Sequence, residues 1–182
     1  MSGLSSRAVA LGLAAALTPA PAGPAVAATS EVSASGFLVT LRQEVKASPA
    51  RIYEALGEVD KWWSPKHTWS GSAANLSLTR QAGGCFCERW DANSVEHGRV
   101  LYAAQDSVLR LQGGLGPLQA LAVNAVLTFA IAEKEGKTIL QLSYRVSGND
   151  ATTLQNFAAP VDGVLAEQFK RLVSYSETGK PE

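Results

Sequence analysis

The fold is decided by the stretch Asn156-Phe-Ala-Ala-Pro-Val-Asp-Gly-Val-Leu-Ala-Glu-Gln-Phe-Lys-Arg-Leu-Val-Ser-Tyr-Ser-Glu177, near the end of a 182-residue chain. Apolar side chains recur in it at spacings of three and four residues, the period of a helix with one apolar face. This stripe consists of Val161, Val164, Leu165, Phe169 and Leu172, with Gln168 among them. We expect one long helix whose stripe faces a sheet, with Lys170 and Arg171 outside.

The chain before this helix predicts short antiparallel strands separated by turn residues. Seven are expected, over residues 37–46, 75–81, 84–91, 95–104, 107–112, 122–134 and 137–147. The last two form a hairpin across Glu135-Gly136, because apolar and polar residues alternate on both sides of that turn. Ser48-Pro49 begins the first of two short helices, and Trp62-Trp63 belongs to the second.

Residues 1–28 have the pattern of a secretory signal peptide. Arg7 precedes the ten-residue apolar core Ala8–Leu17, and Ala25-Val-Ala27 is a small-x-small cleavage site. Ten apolar residues are too few to cross a bilayer, which needs about twenty. We therefore expect export to the periplasm or medium, a mature chain beginning at Ala28 or Thr29, and no integral membrane segment in it.

Charge balance argues against nucleic acid as a partner. The chain has 16 basic and 16 acidic residues, and loss of Arg7 with the leader would leave a net charge of about −1. A nucleic-acid-binding domain typically has a basic face, and no such excess is present.

Three segments resemble the START-related superfamily called SRPBCC, which includes polyketide cyclases, pollen-allergen-like lipid binders and heat-shock ATPase activator homologues. They are Ser48-Pro-Ala-Arg-Ile-Tyr-Glu-Ala-Leu56 followed by Trp62-Trp63, Ala82-Gly-Gly-Cys-Phe-Cys-Glu88, and Ala159-Pro-Val-Asp-Gly-Val-Leu165. The resemblance covers residues 37–176 and implies one START-like domain over 37–178. The implied fold is the α+β helix-grip: a bent seven-stranded antiparallel sheet wrapped on the C-terminal helix, two short helices after the first strand, and an apolar cavity.

Aromatic and leucine side chains supply the candidate ligand-binding residues. Tryptophan is favoured at the mouth of a cavity, because its ring can contact an apolar ligand while its N–H remains hydrogen-bonded to water. The apolar but glycine-rich segment Gly113–Leu121 is interpreted either as a lid over the cavity or as a buried connector. Gly163 is expected to leave room inside the cavity. The full set is Trp62, Trp63, Trp69, Phe86, Trp90, Leu115, Leu118, Phe129, Tyr144, Val161, Val164 and Leu165.

Glu88 and His97 are the candidate acid–base groups. A turn near residues 92–94 would bring their strands together, and a histidine beside a carboxylate in an apolar cavity can act as a general base. Strand alternation alone does not establish that the two side chains share a face. A surface ion pair or a solvated strand face is therefore the interpretation we favour.

The only cysteines, Cys85 and Cys87, are spaced i, i+2. In a regular strand their Cα atoms would lie about 6.8 Å apart, the upper limit for a disulfide unless a bulge shortens the distance. We expect two buried free thiols. A zinc site from Cys85, Cys87, His97 and His67 is not expected, because this is not a zinc-ligand spacing. No metal and no cofactor are predicted.

The leading functional hypothesis is an exported protein that holds a small hydrophobic molecule, a lipid or aromatic metabolite, in its cavity. The second is an enzyme of the polyketide cyclase or aromatase type, with Glu88 and His97 as acid–base groups. A third, a chaperone adaptor, conflicts with the expected export. The sequence does not decide whether a reaction is catalysed.

Overall fold

The computed structural model describes residues 26–149, 151 and 153–182. The expected leader and its cleavage site therefore lie almost entirely outside the described residues, and the signal peptide stays a prediction. The described chain begins in a strand, and two of its residues, Val26 and Ala27, overlap the expected cleavage region.

Eight strands form one antiparallel sheet in the spatial order β1-β2-β8-β7-β6-β5-β4-β3. They are β1 (Val26–Ser33), β2 (Gly36–Val45), β3 (Leu76–Leu78), β4 (Cys85–Trp90), β5 (Asn93–Ala104), β6 (Val108–Gln112), β7 (Asn124–Lys134) and β8 (Lys137–Ser147). The predicted helix-grip class is confirmed, with eight strands instead of seven. The additional strand is β1, whose small and polar residues show no strand pattern; it forms because its backbone pairs with β2.

The β7–β8 hairpin follows the sequence closely. Glu135 and Gly136 both have positive φ, 54° and 74°, as a two-residue hairpin turn requires. The alternating apolar side chains of both strands share the buried face, as expected: Leu127, Phe129, Ile131, Leu140, Leu142 and Tyr144.

The described residues contain three α-helices, each in contact with the sheet: α1 (Pro49–Gly57), α2 (Val59–Trp62) and α3 (Gln155–Thr178). Ser48 caps α1 by accepting a hydrogen bond from the Arg51 N–H. The two short helices are thus confirmed between β2 and β3. None of the helices among the described residues is long and apolar enough to cross a membrane.

Helix α3 turns its expected stripe inward, with two corrections. Leu165, Phe169 and Leu172 are buried. Arg171, expected outside, is half-buried, and its Nε donates to the carbonyl oxygen of Trp62 at 2.7 Å. Gly163 was expected inside the cavity but is exposed, and a Cβ placed there would meet no atom within 4 Å. The 100° step between helical residues puts it on the outer side of α3.

Candidate ligand-binding site

A cavity of about 270 Å³ lies between the first turns of α3, the segment after α2, and the loop after β6. Its walls are mostly apolar, and two histidines are the ionisable groups in them. The lining residues are Trp63, His67, Thr68, Trp69, His97, Leu115, Gly116, Pro117, Phe157, Pro160, Val161, Val164 and Leu165. The cavity is slightly smaller than most small-molecule sites, which span about 300–1,000 Å³.

Half of the candidate ligand-binding residues line this cavity: Trp63, Trp69, Leu115, Val161, Val164 and Leu165. Phe86 lies behind the wall, with its ring centroid 4.9 Å from that of His97. Trp62, Leu118, Phe129 and Tyr144 pack in the core, and Trp90 lies at the end of β4. The segment 157–160, from which Phe157 and Pro160 reach the cavity, was not selected from the sequence.

The three neighbouring tryptophans differ in position. Trp62 is buried, and its Nε1–H donates to the Ala55 carbonyl oxygen at 2.7 Å. The Trp63 Nε1–H donates to the His67 carbonyl oxygen at 2.9 Å, which holds its ring against the cavity. Trp69 is 55% exposed and stands at the mouth. Of the three, only Trp69 is both in the cavity lining and largely exposed to water, as expected of a residue at the mouth.

The loop Gly113–Leu121 combines the two roles considered for it. Leu115 and Pro117 line the cavity, whereas Leu118 is fully buried in the core. The Tyr144 hydroxyl accepts a hydrogen bond from the Leu115 N–H at 2.9 Å and donates one to the Gly113 carbonyl oxygen at 3.0 Å. Burial raises the pKa of Tyr144, so this hydroxyl keeps its proton. The loop is therefore a cavity wall anchored to β8.

Glu88 and His97 form a buried pair, so the surface ion pair or solvated strand face predicted from the sequence is wrong. The Nε2 of His97 lies 3.0 Å from Oε2 of Glu88, and the two side chains are 7% and 0% exposed. Glu88 also accepts the backbone N–H groups of Trp69 at 3.0 Å and Ser70 at 2.5 Å. A carboxylate buried in this way is stabilised by the donors around it.

A β-bulge explains why alternation alone did not place His97. Phe86 pairs with Gly98 but Cys87 pairs with Glu96, so His97 is an extra residue in β5. His97 and Gly98 are both buried, and the bulge changes the alternation of side chains between the two faces of β5 at this point. The bulge directs the imidazole inward toward Glu88 and the cavity.

Competing effects set the charge of each partner. Burial on its own would raise the pKa of Glu88, but hydrogen bonds from Ser70, Trp69 and His97 outweigh it and lower that pKa below its usual range. Burial lowers the pKa of His97, and the neighbouring carboxylate offsets this only in part. Near pH 7 the pair is a carboxylate beside a neutral imidazole.

A second histidine–glutamate pair, His67 with Glu167, lies at the cavity mouth and was missed from the sequence. Their Nε2 and Oε2 atoms are 3.0 Å apart, with side chains 31% and 39% exposed. A signal was present, because Glu167 follows Val164 by three residues and shares its side of α3. Contacts with Ser64 and His67 lower the pKa of Glu167, although burial opposes them.

The two cysteines are bonded to each other, so the expected free thiols are a wrong prediction. The Cα atoms of Cys85 and Cys87 are 5.4 Å apart, within the range of ordinary disulfides. This distance is shorter than the ~6.8 Å of a regular strand, and the pairing of β4 with β5 shifts register at the same point, between Phe86 and Cys87. Glu96 lies beside them, its ligand atom and theirs within 4.8 Å of one another, but disulfide sulfurs are not thiolate ligands.

No family model matches the chain, and no curated protein matches it. Solved structures do. The Aha1 dimer of Colwellia psychrerythraea has a TM-score of 0.58 at 20% identity, covering 79% of this chain and 98% of its own. CalU16 of Micromonospora echinospora has a TM-score of 0.55 at 14% identity, covering 90% and 88%. DynU16, from the dynemicin biosynthetic locus, has a TM-score of 0.56 at 18% identity, covering 79% and 48%.

This chain has the fold of these proteins. At these identities the likeness concerns architecture alone, because one fold serves many functions. It agrees with the helix-grip fold that the resemblance implies.

Proposed function

We propose that this protein binds a small hydrophobic molecule in the cavity beside α3. The observation that carries the proposal is a cavity of about 270 Å³ whose walls are mostly apolar side chains. Moving an apolar ligand out of water into such a space is favourable, and a preformed cavity avoids the cost of opening one. The volume corresponds to about nine waters at ~30 Å³ each, which favours a ligand of one or two rings or a short aliphatic chain.

Trp69 supports the same proposal. Its indole is 55% exposed at the mouth, where a bound ligand would cover part of it. Tryptophan is favoured at such positions because it offers a large apolar surface and one polar N–H. Ligand binding should therefore change the fluorescence of this residue.

The test is binding of N-phenyl-1-naphthylamine, a neutral dye that fluoresces in dry sites. We expect about one dye per folded chain. Val164→Trp should fill the cavity and weaken dye binding at least tenfold, because Val164 lines it. Gly163→Leu is the matched control on the same helix, since Gly163 is exposed and outside the cavity; its dye binding should equal that of the wild type. Absence of dye binding, or unchanged binding by a folded Val164→Trp variant, would refute the proposal.

An enzyme of the polyketide cyclase or aromatase type is the second candidate, and the buried Glu88–His97 pair is the observation that favours it. A neutral imidazole supported by a carboxylate can remove a proton from a bound molecule, and the carboxylate then stabilises the imidazolium. A readout is deuterium exchange from D₂O at the carbon next to the carbonyl of a small apolar ketone. Exchange should be lost in His97→Gln while dye binding is kept. If the wild type exchanges deuterium no faster than His97→Gln, this activity is excluded for the ketone tested.

We also propose that the chain is exported. The Cys85–Cys87 disulfide supports this, because such bonds persist mainly in oxidising compartments. N-terminal sequencing of protein from the periplasmic or secreted fraction should begin at Ala28 or Thr29. Intact Met1 on protein recovered from the cytosol would contradict the proposal.

A further inference from the structure

The donors around Glu88 determine which nitrogen of His97 carries a proton. Glu88 accepts from the backbone N–H groups of Trp69 and Ser70, and its Oε2 lies 3.0 Å from Nε2 of His97. An ionised carboxylate only accepts hydrogen bonds, so Nε2 must be the protonated nitrogen. In the neutral ring the other nitrogen, Nδ1, then holds a bare lone pair.

Nδ1 of His97 has no hydrogen-bond partner within residues 26–149, 151 and 153–182. The ring belongs to the cavity wall and is 7% exposed. Around it the wall is apolar, and two of the polar groups nearby have their protons engaged: Trp63 Nε1–H with the His67 carbonyl, and the Thr68 hydroxyl with the Pro65 carbonyl at 2.8 Å. His97 therefore offers a ligand an acceptor for which the described residues supply no competing donor.

The charges near the cavity disfavour an anion. No lysine or arginine is among the described lining residues. Each histidine of the wall contacts a carboxylate: His97 contacts Glu88, and His67 contacts Glu167. A buried ligand carboxylate would face this negative charge with no lysine or arginine in the described cavity wall to pair with it, which is costly in an apolar site.

We infer that the cavity selects a neutral apolar ligand carrying a hydroxyl group, an alcohol or phenol, which donates its proton to Nδ1 of His97. This inference rests on the proposed binding function and adds to it the polar group that the ligand must have. His97 is then the residue that determines specificity, and Glu88 is a positioning residue that fixes its tautomer. Glu88 needs no contact with the ligand for this role.

The experiment compares 2-naphthol with 2-methylnaphthalene, which has the same shape but no hydroxyl, in the wild type and in His97→Leu. We measure both dissociation constants by tryptophan fluorescence and take their ratio in each protein. Removing the acceptor should lower the preference for the hydroxyl by about three- to tenfold, the size of one hydrogen bond. The anion 2-naphthoate should bind the wild type at least tenfold more weakly than 2-naphthol.

Nuclear magnetic resonance on protein with ¹⁵N-labelled histidine makes the test independent of variant folding. Without ligand, His97 should show a proton on Nε2 and none on Nδ1. Addition of 2-naphthol should shift the Nδ1 signal, and 2-methylnaphthalene should leave it nearly unchanged.

The outcomes separate this inference from the proposed function. If neither 2-naphthol nor 2-methylnaphthalene binds, and the dye also fails to bind, the binding function itself is refuted. If both bind but the ratio is the same with and without His97, the hydroxyl inference alone is overturned. A protonated Nδ1, or tighter binding of 2-naphthoate than of 2-naphthol, would also overturn it.

Discussion

The two histidine–glutamate pairs at the cavity have the same nitrogen–oxygen distance, 3.0 Å, and different surroundings. His97–Glu88 is buried, and backbone N–H groups of Trp69 and Ser70 complete the shell of the carboxylate. His67–Glu167 is about one-third exposed on both sides. Distance alone therefore says little about what a pair contributes. Burial and the number of additional donors decide it, because water screens and competes with the exposed pair.

The largest expected difference between the pairs is in stability. Glu88→Ala leaves the Trp69 and Ser70 N–H groups and His97 without their acceptor, and should cost about 3–5 kcal/mol of unfolding free energy. Glu167→Ala removes an exposed partner and should cost less than about 1 kcal/mol. Urea unfolding of both variants measures this. Similar losses would mean that burial does not distinguish the pairs.

A second test applies the same contrast to two positions on α3. Leu165 is 1% exposed in the cavity wall, whereas Lys170 is exposed. Leu165→Asp buries an unpaired charge and should cost about 3 kcal/mol, moderated by water that the cavity can admit. Lys170→Asp should change stability by less than about 0.5 kcal/mol. Equal urea midpoints would show that the inward stripe of α3 is misassigned.

A third test concerns the Cys85–Cys87 disulfide. It lies in β4, the strand of Glu88, and therefore near the His97–Glu88 pair and not near the His67–Glu167 pair. In the double variant Cys85→Ser, Cys87→Ser the Cα separation can relax from 5.4 Å toward the ~6.8 Å of a regular strand. Because the disulfide closes a very short loop, its loss should lower the free energy of unfolding by only about 1–2 kcal/mol. The histidine NMR signals of His97 should shift, because its bulge pairs with this segment, and those of His67 should not. Equal shifts at both histidines would contradict this local coupling.

The smallest expected effect is on pH dependence. Burial lowers the pKa of His97 from its ordinary value of 6.5. As the pH falls below 6.5, His97 is therefore protonated in the unfolded chain while it stays neutral in the folded chain. Stability should therefore fall as the pH drops from about 7 toward 5, and His97→Leu should flatten this slope. His67→Asn is the control for loss of an exposed imidazole. The depressed pKa of Glu88 adds a further loss only below its ordinary 4.5. A wild-type slope of zero would contradict the assignment.

Prediction from sequence succeeded where a local period reports burial. The stripe of α3 and the alternation of β7 and β8 depend on side-chain spacing, and both are confirmed. It failed where the strands are irregular. The bulge at His97 accompanies a buried Glu88–His97 pair where a surface pair was expected, and the Cα atoms of Cys85 and Cys87 lie closer together than in a regular strand. A bulge depends on the register in which two strands pair. The sequence of either strand alone does not specify that register.

The sequence by itself determined the class of fold, the long closing helix and the residues from which an apolar cavity is made, because hydrophobic periodicity is a local property. Only the tertiary structure decided which of those residues meet. It placed Phe157 and Pro160 in the cavity, moved Gly163 outside and joined His67 to Glu167, 100 residues away along the chain. Contacts at such separations arise from the packing of α3 across the sheet, and that packing sets the burial, the tautomer and the charge of the groups a ligand would meet.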